Sequence, residues 1–486
     1  MFKLIDIVVA VVHLSIYGIL FYNFGPVYGL CGIYTIYKVA DMILWNFFNI
    51  RIMRGVDLIM YLEKEKNKSI CTCTLILDKN DHKEIKSDHF LYLKNKLLQY
   101  TMKNDIFKSK VLEFLGIHLF QVLPDDSKTR TLCAQRIHKI EEDMNEEKDL
   151  IAYMKKVSEY PMRKDELQWD LYIHDNYQGD KIVIFGRVHH GISDGMGTML
   201  FLSSVDGNKN LSAIPQMKNI SVFMRFTLFL LSPFFFLYSL ISDVKIMGQD
   251  NPYKLKEGFS GKKELAVSKT YDFEQLRKCY KRYNGMKFND FFLGCIGTGM
   301  KNYANELGYK SLDRVGMGIP VNLRPPPTSL EKKLTFQNCI GLGACEFPCL
   351  EDLEKTMKKG KIAVHKRFKP SIMWSSQKIQ LMLKYFPILV NNLIVDLVSG
   401  NIELAVSNIN GLRKPITICG YTLEDSYFIT PNVFNCGLCI LGASYNKKFR
   451  YCAYQDASLE AKAQKLVDHI EKIIEREIDK NDRHQN

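Results

Sequence analysis

From residue 7 to residue 37 the sequence contains no Asp, Glu, Lys or Arg. A stretch this apolar must be buried in a core or taken up by a membrane, because water penalises it along its whole length. Gly25-Pro26 breaks the run. Residues 7–24 approach the roughly 20 residues that cross a bilayer. Residues 27–48 carry Lys38 and Asp41 and read either as a second crossing or as an interfacial helix. Tyr22, Tyr28, Tyr34 and Trp45 suit membrane interfaces. A cleaved signal peptide fits less well, because the run is long and no compact small-residue cleavage site follows. A second uncharged run, 226–242, contains Pro233 and three successive phenylalanines, Phe234 to Phe236. A true crossing there would put two polar halves on opposite sides and forbid any site built from both. An interfacial or re-entrant segment is therefore expected, with a buried core helix as the alternative.

The rest of the chain is polar enough to fold in water. Mean hydropathy over 486 residues is −0.12, and 47% of residues are hydrophobic. Disordered and collagen-like chains are excluded by that composition. The net charge is +13, but basic residues are interleaved with acids, as in Glu63-Lys64-Glu65-Lys66 and Glu146-Glu147-Lys148. With no long basic block, the expected partner is an anionic membrane surface or an anionic substrate, and no nucleic acid. The thirteen cysteines are scattered rather than arranged as a disulfide scaffold. Cys436-Gly437-Leu438-Cys439 has no second ligand pair for zinc. No metal site is expected, and reduced structural cysteines favour a body that faces the cytosol.

Periodicity predicts a mixed α/β body. Residues 69–77, 167–174, 181–190 and 314–321 read as strands, with shorter ones around Ile416, Tyr427 and Leu438. Residues 90–100, Gly195–Ser204, 289–304 and 379–397 read as helices, and Leu466, Ile470, Ile473, Ile474 and Ile478 form one face of a terminal helix.

The strongest strand runs directly into His189-His190-Gly191-Ile192-Ser193-Asp194-Gly195. Adjacent side chains on a strand point to opposite faces. The two histidines should therefore do different jobs, one facing a cleft and the other packing behind it. A histidine at a strand end can act as a general base near neutral pH. Asp194 can hold the loop by pairing with a basic residue, and Gly195 allows tight backbone geometry. A structural histidine pair is the alternative on these residues alone.

The stretch H-H-x-x-x-D-G resembles the active-site motif of the wax ester synthase/acyl-CoA:diacylglycerol acyltransferase family, within the chloramphenicol-acetyltransferase-like superfamily. Five further stretches are similar to the same family: Gly55 to Met60, where its first strand opens; Glu166-Leu167-Gln168-Trp169-Asp170; Asn289-Asp290; Pro320-Val321-Asn322-Leu323-Arg324-Pro325; and Ser407-Asn408 with Gly411. Asp456 stands where a late Asp is common. The resemblance covers roughly residues 55–475. Leu167-Gln168-Trp169 departs from P-L-W, and Leu412 replaces a usual Pro.

The resemblance implies two α/β halves with a channel between them and an N-terminal membrane-anchoring region. The expected divisions are 1–54 (anchor), 55–210 (first half), 211–250 (interfacial or re-entrant linker) and 251–486 (second half). It implies an acyl-CoA-dependent O-acyltransferase with His190 as base, supported by His189, Asp194 and Gly195. Asn289, Ser407 and Asn408 are candidate oxyanion donors, with helix N-capping as the alternative for Asn289. Arg324 either braces Asp194 or lies on the surface. The implied partners are acyl-CoA as co-substrate, a fatty alcohol or diacylglycerol, and the bilayer of the endoplasmic reticulum or plasma membrane. No cofactor is implied. Alternatives are an acyltransferase for another small hydroxyl acceptor and a non-catalytic lipid-binding member. Three sequons, at Asn67, Asn210 and Asn219, are expected to stay unglycosylated on a cytosolic body.

Overall fold

The computed structural model describes residues 4–82, 88–204, 221–324, 337–412 and 414–483. Two large sheets organise the body. The first has six strands in the order Thr417–Ile418, Tyr421–Ile429, Ile70–Asp78, Lys181–His189, Trp169–Tyr177 and Ile137–Lys139. Its central strand, Lys181–His189, is rich in β-branched residues and almost wholly buried, as expected for a strand covered on both faces. It pairs antiparallel with both neighbours, Ile70 opposite His189 and Trp169 opposite Val188. This registry ends all three strands near the two histidines.

The second sheet runs Ile340–Pro348, Arg314–Asn322, Leu404–Asn410, Leu438–Tyr445, Lys448–Asp456, Lys263–Val267, with Tyr271–Asp272 also pairing to Lys448–Asp456. Leu404–Asn410 lies parallel to both its neighbours. Helices Phe288–Glu306 and Ala463–Arg483 cover this sheet, burying Ile296, Met300, Leu466 and Ile470. A small third sheet joins Ile50–Ile52, Ile117–Val122 and Ser109–Phe114.

The two halves are interlocked rather than merely adjacent. Tyr421–Ile429 belongs to the second half by sequence but pairs with Ile70–Asp78 in the first sheet, Tyr427 opposite Thr74. One core cluster accordingly contains Trp169 and Ile184 together with Ile409, Tyr421 and Leu441.

Two expectations are corrected. Residues 379–397 do not form one helix. The chain makes Pro370–Met382, a 3₁₀ turn at Leu383–Tyr385, and then Ile388–Ser399. Pro387 sits before the last of these with extended backbone (φ −58°, ψ 151°), and a proline has no N–H to continue a preceding helix. Gly55–Tyr61 is a buried helix rather than the opening of a strand. The 226–242 run lies within the helix Val222–Val244, bent by 49° between Phe226–Ser232 and Leu237–Val244, a bend around Pro233.

None of the thirteen cysteines forms a disulfide. Cys436 and Cys439 are buried and donate to the carbonyls of Leu438 and Pro431, each at 3.1 Å. Of the three sequons, those at Asn210 and Asn219 lie outside the described residues. Asn67 is 2% exposed; its amide donates to the Asn432 carbonyl at 2.7 Å and its Oδ1 accepts from Lys263 at 2.8 Å. We expect glycosidase treatment to leave the mobility of the expressed chain unchanged at Asn67; a glycopeptide at Asn67 would contradict this packing.

Candidate active site

The H-H-x-x-x-D-G segment sits where the central strand ends and a helix begins. The His190 amide donates to the Ser69 carbonyl at 2.7 Å, extending the strand pairing by one residue. The chain then turns, with Ile192 N–H donating to the His189 carbonyl at 3.0 Å. Helix Gly195–Ser204 starts under the cap of Asp194, whose Oδ1 accepts from Gly197 N–H at 2.8 Å. The turn has no room for side chains larger than those present. A Cβ on Gly191 would lie 2.1 Å from the Tyr61 ring, and one on Gly195 would lie 2.5 Å from Ile409 Cδ1.

The two histidines have different surroundings. His189 stacks on Tyr61, with ring centroids 3.9 Å apart and 6° between planes. Its Nδ1 accepts from Gly191 N–H at 3.0 Å and its Nε2 lies 3.3 Å from Glu63 Oε2. These bonds assign Nε2 as the protonated nitrogen of a neutral ring. Burial lowers the His189 pKa, opposed by Glu63. Burial raises the Glu63 carboxyl, but its bond to His189, the charge of Lys68 and the Ser69 amide more than reverse this, and its pKa is lowered.

His190 instead lines two cavities at once. Pro320, Ile340, Ser407 and Thr430 also border both, so these five residues mark where the cavities meet. One cavity is apolar, walled by Met60, Leu240, Ile319, Leu342, Ile394 and Val398. The other carries polar groups, Asp194, Thr198, Asn322, Ser407 and Asn408. His190 is 8% exposed, and its Nδ1 is buried with no hydrogen-bond partner. Burial lowers its pKa below the ordinary imidazole value.

Asp194 and Arg324 form a buried pair, each side chain 5% exposed, at 2.8 and 3.0 Å. Asp194 Oδ2 also accepts from Cys339 N–H at 2.8 Å, and Arg324 donates to the Gln337 carbonyl at 2.6 Å. The pair thus joins the histidine turn of the first sheet to the ends of two strands in the second. Asn289 does not cap its helix. Lys287 N–H donates to Asp290 at the N-terminus of Phe288–Glu306, while Asn289 Oδ1 accepts from Asn408 Nδ2 at 2.5 Å. Ser407 and Asn408 lie together on Leu404–Asn410, and Asn408 Oδ1 is buried without a partner.

Four residues at the site were missed by sequence reasoning. Glu63 was hidden in an alternating charge run that resembles a solvated surface. Asn338 donates to the His190 carbonyl at 2.7 Å and to Asp57 at 3.0 Å. Arg54 completes this brace with two bonds to Asp57, at 2.8 and 3.0 Å, and one to the Asn338 carbonyl at 3.0 Å. Thr430 follows a strand recognised by its hydrophobicity, which carries no signal for a cavity.

Two outcomes follow from these contacts. Replacing Arg324 by Met leaves the Asp194 carboxylate buried without its cation, which should cost about 3–5 kcal/mol in equilibrium denaturation; a variant as stable as the parent would contradict a closed pair. Glu63→Gln removes the charge behind His189 but keeps an acceptor. It should leave the protein folded and raise the proportion of the other His189 tautomer in nitrogen-15 NMR; an unchanged tautomer ratio would show that Glu63 does not set it.

Comparison with known proteins bears on the fold that carries this site. Residues 336–476 match the family model for the WS/DGAT C-terminal domain. No curated protein matches the chain. Among solved structures, a wax ester synthase/diacylglycerol acyltransferase from Marinobacter aquaeolei VT8 is similar over 88% of this chain and 99% of its own, at 14% identity and a TM-score of 0.58. A trichothecene 15-O-acetyltransferase from Fusarium sporotrichioides is similar over 87% of this chain and 95% of its own, at 11% identity and a TM-score of 0.63. The starter condensation domain of rhizomide synthetase, in a complex with C8-CoA, is similar over 90% and 96%, at 10% identity and a TM-score of 0.58. At these identities the structures establish the fold: the two-lobed α/β architecture of the acetyltransferase and condensation-domain group. Residues 336–476 thus carry a match to the WS/DGAT C-terminal domain on that fold, which supports the family resemblance read from the sequence.

Proposed function

We propose that the protein is a membrane-associated acyl-CoA:alcohol O-acyltransferase that makes neutral lipid, with His190 as its general base. The observation that carries this reading is the position of His190 between an apolar and a polar cavity. The apolar cavity is bordered by Ser239, Leu240 and Asp243 of helix Val222–Val244 and by Ile394, Val395 and Val398 of helix Ile388–Ser399. The outer faces of those helices expose Phe234, Leu237, Ile241, Leu393 and Leu397. A fatty alcohol or diacylglycerol dissolved in a membrane can reach such a cavity sideways. The polar cavity suits the thioester end of acyl-CoA, whose anionic headgroup stays in water on the cytosolic side.

The chemistry needs one base and one oxyanion donor. His190 removes the proton from the acceptor hydroxyl as its oxygen attacks the thioester carbon. A tetrahedral oxyanion forms. On collapse the carbon–sulfur bond breaks, and the imidazolium returns the proton to the departing sulfur, giving ester and CoA thiol. Ser407, which borders both cavities beside His190, is the donor best placed for the oxyanion, while Asn408 is held by Asn289. Asp194, Arg324 and His189 act as positioning groups. The reading requires no metal and no cofactor, because a thioester is already activated. The membrane is the endoplasmic reticulum or plasma membrane, with the body facing the cytosol.

Membranes from a host lacking neutral-lipid synthesis, expressing this chain, should convert labelled acyl-CoA to wax ester when given fatty alcohol or to triacylglycerol when given diacylglycerol. Retained acyl-CoA without product would favour a lipid-binding role. His190→Ala should lower turnover by about 10²–10⁴-fold without loss of fold. Burial favours the neutral, basic form of His190, so that form persists as pH falls. The acid limb of kcat/KM should have its midpoint below the ordinary imidazole value of about 6.5; a midpoint at or above that value would contradict a buried base.

A further inference from the structure

Residues Leu4–Phe48 are not one straight rod. At Gly25 the backbone leaves the helix (φ 72°, ψ 169°), a conformation open essentially to glycine, and Pro26 follows. The two limbs fold back on each other. Tyr17 Oη lies 3.1 Å from Tyr37 Oη, although twenty residues separate them; an unbroken helix would put them about 30 Å apart. Close to the bend, the Phe21 side chain lies against Gly29 and Leu20 against Gly32, where small residues let the limbs approach. The segment is a helical hairpin whose two ends lie on the same side of its tip.

The distances from that tip are informative. Tyr34 lies nine residues from Gly25, about 14 Å along the axis at 1.5 Å per residue. Lys38 lies thirteen residues away, about 20 Å. The hydrocarbon core of a bilayer is about 30 Å thick, so one leaflet supplies about 15 Å. Aromatic and basic groups gather at that level and beyond, where Val11, Val12, Met42 and Phe47 are also exposed. Lys38 lies over the Tyr34 ring at 5.8 Å, Lys384 over Tyr385 at 5.0 Å, and Arg51 over Trp45 at 3.6 Å. This is the pairing found where hydrocarbon meets headgroups. Between belt and tip, Ile19, Tyr22, Phe24, Tyr28 and Leu30 are exposed, Tyr22 at 91%. The body begins at the belt. Tyr17 Oη donates to the Tyr385 carbonyl, and Asp41 accepts from Ile52 N–H at 2.9 Å, tying the second limb to the three-stranded sheet. Deeper insertion would carry that sheet into hydrocarbon. Phe114 and Leu115, exposed on the turn whose Gly116 meets Val9, fall at headgroup level.

We infer that residues 4–48 insert as a hairpin into a single leaflet and do not cross the bilayer, although residues 5–26 alone are long and apolar enough to do so (mean hydropathy 2.0). This rests on the membrane-associated reading above and specifies its geometry. Leu4, at the start of the first limb, lies on the same side as the body. The occupant of the exposed hairpin face is one phospholipid leaflet with its acyl chains. Since no far leaflet is needed, a phospholipid monolayer over a neutral-lipid phase holds the protein as well as a bilayer does. The hairpin packs against Ile388–Ser399, which packs against Val222–Val244. The same leaflet therefore covers the two helices between which the apolar cavity opens.

Three readouts on the full-length chain test this. An epitope tag placed before Met1 should be removed by protease added outside sealed microsomes. Phe24→Trp should add fluorescence that lipids brominated near the chain ends quench most strongly, and that aqueous iodide inside or outside vesicles does not quench. The protein should float with phospholipid-coated triolein droplets as well as with bilayer vesicles. A protected tag, or quenching of the added tryptophan by iodide trapped inside vesicles, would overturn the single-leaflet hairpin while leaving membrane attachment intact. Binding to vesicles but not to droplets would also overturn it. Complete release from both by alkaline carbonate would overturn the membrane reading itself.

Discussion

The buried pair between Asp194 and Arg324 is the interaction on which the candidate site depends. It is a fork-on-carboxylate contact in a place with almost no water, so its strength comes from geometry and from the bonds that satisfy its remaining atoms. Asp194 caps the helix that follows the histidine turn. Arg324 ends a strand of the other sheet. The pair therefore sets the relative position of two halves that must both contribute to a cavity between them. The Arg54–Asp57–Asn338 brace acts on the same turn from the other side, holding the His190 carbonyl. Between these two anchors the backbone that carries His190 is held in one place, which suits the proposed role of a base that meets a hydroxyl in one orientation.

The interlocked sheets and the exposed helices impose a second constraint. Because Tyr421–Ile429 pairs across to the first sheet, the halves cannot separate without breaking a ladder. Substrates must then arrive through openings in a fixed frame rather than by separation of the lobes. The apolar cavity is bordered by helices Val222–Val244 and Ile388–Ser399, whose outer faces expose large apolar side chains, and neither helix lines the polar cavity. On the proposed reading, this arrangement lets a water-soluble donor and a membrane-dissolved acceptor meet at His190.

Much of this was legible in the sequence. The β-branched run at Lys181–His189 and the glycine after Asp194 placed a strand, a turn and a helix where the structure has them. The uncharged run with Gly25-Pro26 marked both the apolar region and its break. Other features were hidden for physical reasons. Glu63 is one of four alternating charges, and only the fold turns it inward to His189. The pairing of Tyr421–Ile429 with Ile70–Asp78 joins residues some 350 positions apart, and no local pattern encodes a partner at that range. The apolar periodicity of 379–397 outweighed Pro387, yet the missing N–H of a proline ends the helix regardless of hydrophobicity. Gly55–Tyr61 is buried all round, so it lacks the alternation of faces that separates helix from strand.

On the proposed mechanism the reacting atoms meet at His190, at the junction of the two cavities. A structure of the full chain with a non-reactive acyl-CoA thioether and an acceptor alcohol tests it most directly. The alcohol oxygen should lie within about 3.2 Å of an imidazole nitrogen of His190, the acyl sulfur in the polar cavity, and the acceptor chain between Val222–Val244 and Ile388–Ser399. An acceptor oxygen held away from His190, or both ligands bound in a cavity that His190 does not border, would contradict it.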